Sequence, residues 1–155
     1  MPRADIRGRW RACCHSVRDW ALAHPHEYAL IYGSPVPGYQ APRETIGPAE
    51  RVAAVIGGVL ADGWSARAAA PAHGQPQPRP GEPLPEVLAG QAEVVAAAIA
   101  PGTPAPVIAR GLIAWTQLFG MISFELFGQL VGSADPADAF FGYAVDQMAD
   151  FVGLP

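Results

Sequence analysis

The sequence predicts an all-α domain: a helical bundle whose last two helices join those of a second copy in an intermolecular four-helix bundle. Three observations carry this. Apolar residues recur at three- and four-residue spacing in each long segment, with no strand-like alternation and no internal repeat. Prolines and glycines, 17 of each in 155 residues, fall between those segments and bound them. The longest segment, Val107 to Val131, is apolar on two flanks.

The first helix is predicted from Ala4 to about Ala23, with Ile6, Trp10, Cys14, Val17 and Ala21 on one face and Arg7, Arg11 and Arg18 elsewhere. Pro25 ends it, because the residue before a proline avoids helical geometry. A short helix from His26 to Tyr32 turns Tyr28, Ile31 and Tyr32 inward. Gly33, Pro35, Pro37, Gly38 and Pro42 then form a stiff connection. Pro48 suits a first helical position and Glu50 the acidic first turn of a helix reaching about Ala69. Its inner face is Val52, Ile56, Val59, Leu60 and Gly63, with Trp64 at the edge and Arg51, Asp62 and Arg67 toward water. Pro71 to Pro83 is proline-rich and aperiodic, an extended linker inside one domain. A helix from Pro85 to Ala100 carries the stripe Val87, Leu88, Val94, Val95, Ala98 and Ile99.

Thr103 and Pro104 open the long helix, and Gly132 and Ser133 stop it. One seam runs Ile108, Leu112, Trp115, Phe119, Ile122, Leu126, Leu130; the other runs Ile113, Gln117, Gly120, Phe124, Phe127, Val131. Each large side chain covered contributes roughly 1.5–3 kcal/mol, so both seams need a neighbour. Periodicity alone allows either a central helix enclosed in a monomer or one seam on the core and the other on a second copy. The second arrangement is the expectation adopted here. Gly120, costly inside a helix, fits a close approach of two backbones. Asp135, Pro136 and Asp138 start the last helix, whose stripe is Phe141, Ala144, Val145, Met148, Phe151 and Val152. The expected interface is therefore Ile113, Gln117, Gly120, Phe124, Phe127 and Val131 with Phe141, Val145, Met148 and Val152.

Composition narrows the function classes. Residues 1–155 suit one domain; half are hydrophobic and only 15% charged, which excludes a disordered chain. A net charge of −4 with no lysine offers no basic face for nucleic acid. Cys13 and Cys14 are adjacent and imply no disulfide framework, and no export signal stands at the N-terminus, so a reducing cytoplasm is expected. Gly111 to Val131 nearly matches a bilayer in length. Glu125 and two glutamines within it argue against a spanning helix, so no membrane is expected. Cys13, Cys14, His15, His24 and His26 lack zinc-site spacing, and His73 stands apart, so neither a metal nor a cofactor is expected. No acid, base and nucleophile converge, so an enzyme is not expected.

Two stretches, AHPHEYALIYGSPVPGY from Ala23 to Tyr39 and AWTQLFGMISFELFG from Ala114 to Gly128, resemble the C-terminal domain of TetR/AcrR-type transcriptional regulators, most closely the subgroup named for a Trp-His-Gly signature. The likeness extends from Trp10 to Phe151. It implies an all-helical domain that binds a small effector inside and dimerises through its last two helices. Where the signature has histidine before glycine, this chain has Phe119 before Gly120. Family members carry a helix-turn-helix ahead of this domain, and none precedes Trp10 here, so DNA contact is expected only through a head outside this sequence.

The aromatic set Trp10, Tyr28, Tyr32, Tyr39, Trp64, Trp115 and Phe119 has two readings, ordinary core packing or the lining of an apolar pocket. With the resemblance, the pocket reading gains. The expected ligand-binding residues are Trp10, Cys14, Tyr28, Tyr32, Trp64, Trp115 and Phe119, facing a small hydrophobic effector. A homodimeric sensing and dimerisation domain is the function expected. The alternative is a headless interaction module that pairs with a full-length relative and needs no ligand.

Overall fold

A computed structural model describes residues 1–33, 38, 46–69 and 83–155. These hold helices α1 (Ile6–Ala23), α2 (Pro25–Tyr32), α3 (Ile46–Ala69), α4 (Glu86–Ile99), α5 (Ala105–Leu126) and α6 (Asp138–Val152), with no strand among the described residues. Most of the Gly33–Pro42 connection and of the 71–83 linker, with Tyr39 and His73, lies outside them.

Local chemistry sets the boundaries. Asp5 caps α1 through its carboxylate, which accepts from the Gly8 amide at 2.9 Å. Pro25 is the first residue of α2. Pro104 precedes α5, and Thr103, the expected cap, is instead buried with no partner for its hydroxyl among the described residues. The long helix ends at Leu126, one turn earlier than its apolar pattern suggested. Gly128 and Gly132, at φ +74° and +80°, turn the chain toward α6 in a backbone region that glycine enters without strain. At the other end Gly153 closes α6 and folds Leu154 back onto the core.

Helix α5 is the hub, packed against α4 on one side and α6 on another, while α1 lies across α3, α5 and α6. The main core joins Ile6, Trp10 and Cys14 of α1 to Leu118 and Ile122 of α5 and Phe141 and Val145 of α6. A smaller one joins Ala92, Ala96 and Ala100 to Ile108. The first seam of α5 faces inward at Ile108, Phe119 and Ile122, but its Leu112 is exposed, and the buried Ala114, Leu118 and Met121 belong to neither predicted seam.

Several faces differ from expectation. Ile31 is exposed because α2 is a short helix that buries only Tyr28 fully, leaving Tyr32 at the edge. Val52 of α3 and Val87 and Val94 of α4 are also exposed. Helix α4 packs on its alanines, which allow a closer backbone approach than its valines would. Arg18 turns into the protein rather than to water, and it is only 6% exposed. Its guanidinium donates twice to Glu125, at 2.6 and 2.7 Å, and once to Asp138 at 3.1 Å. Glu125, read from the sequence as a charge that argues against a spanning helix, is the second half of this pair. The bond to Glu125 raises the Arg18 pKa further above its ordinary value, against the desolvation that burial imposes.

Candidate functional site

Between α3, α4 and α5 lies an apolar cavity of about 330 Å³. Helix α3 contributes Ala53, Ile56, Gly57 and Leu60; α4 contributes Val95, Ala98 and Ile99; α5 contributes Ile108, Gly111, Leu112 and Trp115, and among the described residues Glu50 is the one charged residue on the lining. Small residues make this shape. A Cβ at Gly57 would come within 2.7 Å of the Ile99 carbonyl, and one at Gly111 within 2.6 Å of the Leu60 side chain. Those two glycines let the helices close around the space, while Ala53 and Ala98 leave it unfilled. The size falls within the range of small-molecule sites, roughly 300–1,000 Å³.

Of the expected ligand-binding residues, Trp115 lines this cavity. Its ring lies 4.6 Å from that of Phe119, Phe119 4.3 Å from Tyr32, and Tyr32 5.1 Å from Tyr28, each pair tilted, so a chain of aromatic contacts runs from the cavity to α2. Tyr28 is buried, and its hydroxyl donates to the Phe119 carbonyl at 3.0 Å and pairs with Ser123 at 2.8 Å. Burial pushes the Tyr28 and Tyr32 phenols above their ordinary pKa. Trp10 and Cys14 are core residues away from the cavity lining. The Trp10 indole donates to the Val145 carbonyl at 2.9 Å, and burial pushes the Cys14 thiol up to about 12, so it stays protonated. Trp64 is half-buried on α3 and does not line the cavity. Periodicity identified inward faces, but it does not tell a filled core from a cavity. The small residues Ala53, Gly57, Ala98 and Gly111 mark the lining, but α3 and α4 carry many other alanines and glycines, so the sequence does not single these out.

The second feature is the outer face of α5 and α6. Ile113 is 55% exposed, Phe124 52% and Val131 72%, with Gln117, Gly120 and Phe127 also exposed, so the second seam stands clear of the subunit's own core. The α6 half of the expected interface requires correction. Phe141, Val145 and Val152 are buried inside the subunit, and Met148, though also buried, still borders the outer groove beside Tyr143 and Gln147. The Arg18 guanidinium lies 4.9 Å from the centre of the Phe141 ring, the His15 ring meets that ring edge-on, and Val145 accepts from Trp10. These contacts turn the Phe141 stripe inward. The face left outside is Phe140, Tyr143, Gln147 and Phe151. It meets the α5 seam along two shallow grooves of about 320 and 340 Å³, neither lined by a charged residue.

Charge is confined to other surfaces. Asp62 accepts from Arg3 at 2.9 Å and Arg9 at 2.7 Å, Asp146 accepts from Arg11 at 2.6 Å, and Arg7 pairs with Asp150. The guanidinium hydrogen bonds hold the carboxyls of Asp62 and Asp146 below the usual range.

The described residues thus form helices only, with an apolar cavity between α3, α4 and α5 and an uncharged face on the last two helices. Residues 10–148 match the family described as tetracyclin repressor-like, C-terminal domain. The HTH-type transcriptional regulators Mb1846 of Mycobacterium bovis and Rv1816 of Mycobacterium tuberculosis are each 32% identical over 118 residues, covering 76% of this chain and 47% of the relative. The chain belongs to the TetR-repressor-like C-terminal domain family, and it spans about half the length of the curated relatives it matches. Proteins of this family are transcriptional regulators that bind DNA and often dimerise. Helix α5 is long and apolar enough to cross a membrane, but half of its apolar window is buried inside the subunit, as in a core helix.

Proposed function

We propose that this chain is the effector-sensing and homodimerising domain of a cytoplasmic TetR-like regulator, with a small hydrophobic effector in the α3–α4–α5 cavity and DNA contact through a helix-turn-helix head. The observation that carries the reading is the double use of α5. Ile108, Gly111, Leu112 and Trp115 flank the cavity, while Ile113, Gln117, Gly120 and Phe124 lie on the uncharged outer face. A guest that wedges the cavity acts on the same rigid element that meets the second subunit. An effector that fits one arrangement better shifts the population toward it, and the attached heads change spacing. The α6 part of the interface is reassigned to Phe140, Tyr143, Gln147 and Phe151.

A thermal-shift screen of small hydrophobic compounds tests the cavity. A guest at one hundred times its Kd stabilises by about 2.7 kcal/mol, a readily measured shift. Ala53→Phe, which fills the cavity from its wall, abolishes the shift and leaves the helical circular dichroism unchanged. If guests bind equally well to this variant, the effector does not occupy the cavity.

A further inference from the structure

Among the described residues the cavity lining carries one charge. Glu50 contributes a carboxylate to walls that are otherwise aliphatic, apart from the Trp115 indole. Among the described residues that carboxylate has no hydrogen bond or ion pair. The adjacent cation, Arg51, lines a different groove, against Ala12, Cys13 and Val17 of α1. Glu50 is exposed, and among the described residues nothing competes with a guest for its carboxylate.

Each class of guest meets this lining differently. An uncharged hydrophobe covering the cavity mouth strips water from the carboxylate and returns no hydrogen bond. An anion is repelled. A cation is attracted by the carboxylate, while its apolar body covers the aliphatic walls and Trp115. The chain's net charge of −4 adds to the attraction.

We infer that the effector is a hydrophobic cation, a molecule with an aromatic or branched apolar body and one positive centre, with Glu50 as its charge-selecting residue. This rests on the reading of the cavity as the effector site.

Tetraphenylphosphonium and tetraphenylborate are hydrophobic ions of closely similar shape and opposite charge, and N-phenyl-1-naphthylamine is an uncharged fluorescent hydrophobe. Binding of each is measured by calorimetry or fluorescence on the wild-type protein, Glu50→Gln, Glu50→Lys and Ala53→Phe. The expected result is that the phosphonium binds and the borate does not. Glu50→Gln weakens the phosphonium by about two- to fivefold, the range for an exposed charge pair, and does not weaken the naphthylamine. Glu50→Lys reverses the preference between the two ions. Binding of the two ions to wild type with equal strength, or a Glu50→Gln variant that holds the phosphonium as tightly as wild type, overturns the inference. If the naphthylamine alone binds and Ala53→Phe blocks it, charge selection fails while the effector site stands. If no probe binds, the effector-site reading fails with it.

Discussion

At the scale of single residues, the Arg18 guanidinium shows what a buried charge demands. It is taken out of water and survives there because Glu125 accepts from it twice and Asp138 once. Breaking one side of such a pair leaves the other charge uncompensated, at a typical cost of 3–5 kcal/mol. Glu125 and Asp138 keep some solvent access, so Arg18→Met is expected to cost about 3 kcal/mol, the lower end. Urea unfolding measures it, and Arg18→Met combined with Glu125→Met should cost less than the single change. Neither residue announced this role in the sequence. They stand 107 positions apart, and helical periodicity placed Arg18 only off the apolar face of the first helix. Asp62 gives the residue-scale pH dependence. Its folded-state pKa lies below the ordinary 3.8, so in acid the unfolded chain binds the extra proton first and stability rises with pH through that window. The contribution is complete above about pH 5 and is lost as pH falls through the depressed value. The urea midpoint should therefore drop between about pH 5 and pH 3, and Asp62→Asn should flatten part of that drop. An unchanged slope in the variant would show that the Arg3 and Arg9 contacts do not hold in solution.

At the scale of elements, the existence and order of the six helices were legible because proline, glycine and apolar spacing are local signals. The orientation of α6 was not. Two apolar stripes run along it one residue apart, Phe140–Tyr143–Gln147–Phe151 and Phe141–Val145–Met148–Val152, and a one-residue offset is only about 100° of rotation. Nothing within α6 chooses between them. The choice is made by α1, through the Trp10 hydrogen bond to the Val145 carbonyl and the Arg18 and His15 contacts with Phe141. The expected cost of Trp10→Phe is about 1–3 kcal/mol, since it empties space and leaves a buried carbonyl without its side-chain donor. Thermal unfolding followed by far-UV circular dichroism checks it, and no loss of stability would mean that α1 does not set the α6 face. The same limit explains the cavity. The sequence marks which side of α3, α4 and α5 is apolar, but a void appears only when small residues from three helices meet. Of the aromatics read as lining, Trp115 alone stands at that meeting point.

At the scale of the whole molecule, Gly120 separates a lone subunit from a paired one. It lies on the exposed face of α5, and a Cβ built there meets nothing within 4 Å. In an isolated subunit, Gly120→Ala should therefore stabilise the helix by about 1 kcal/mol, the ordinary difference between the two residues in a helix interior. In a dimer whose partner backbone approaches at Gly120, the same methyl separates the helices and forfeits contact along the seam. The variant should then unfold at a higher denaturant concentration when dilute and monomeric, yet dissociate at a higher protein concentration than wild type. Phe124→Asp, which places a carboxylate on a face with no charge of its own, should give a monomer by light scattering without loss of helical signal. A Gly120→Ala protein that is both more stable and equally dimeric would move the partner's approach away from the middle of α5, toward Phe140, Tyr143 and Phe151. The effector would then be acting through α6 rather than through the helix that borders its own cavity.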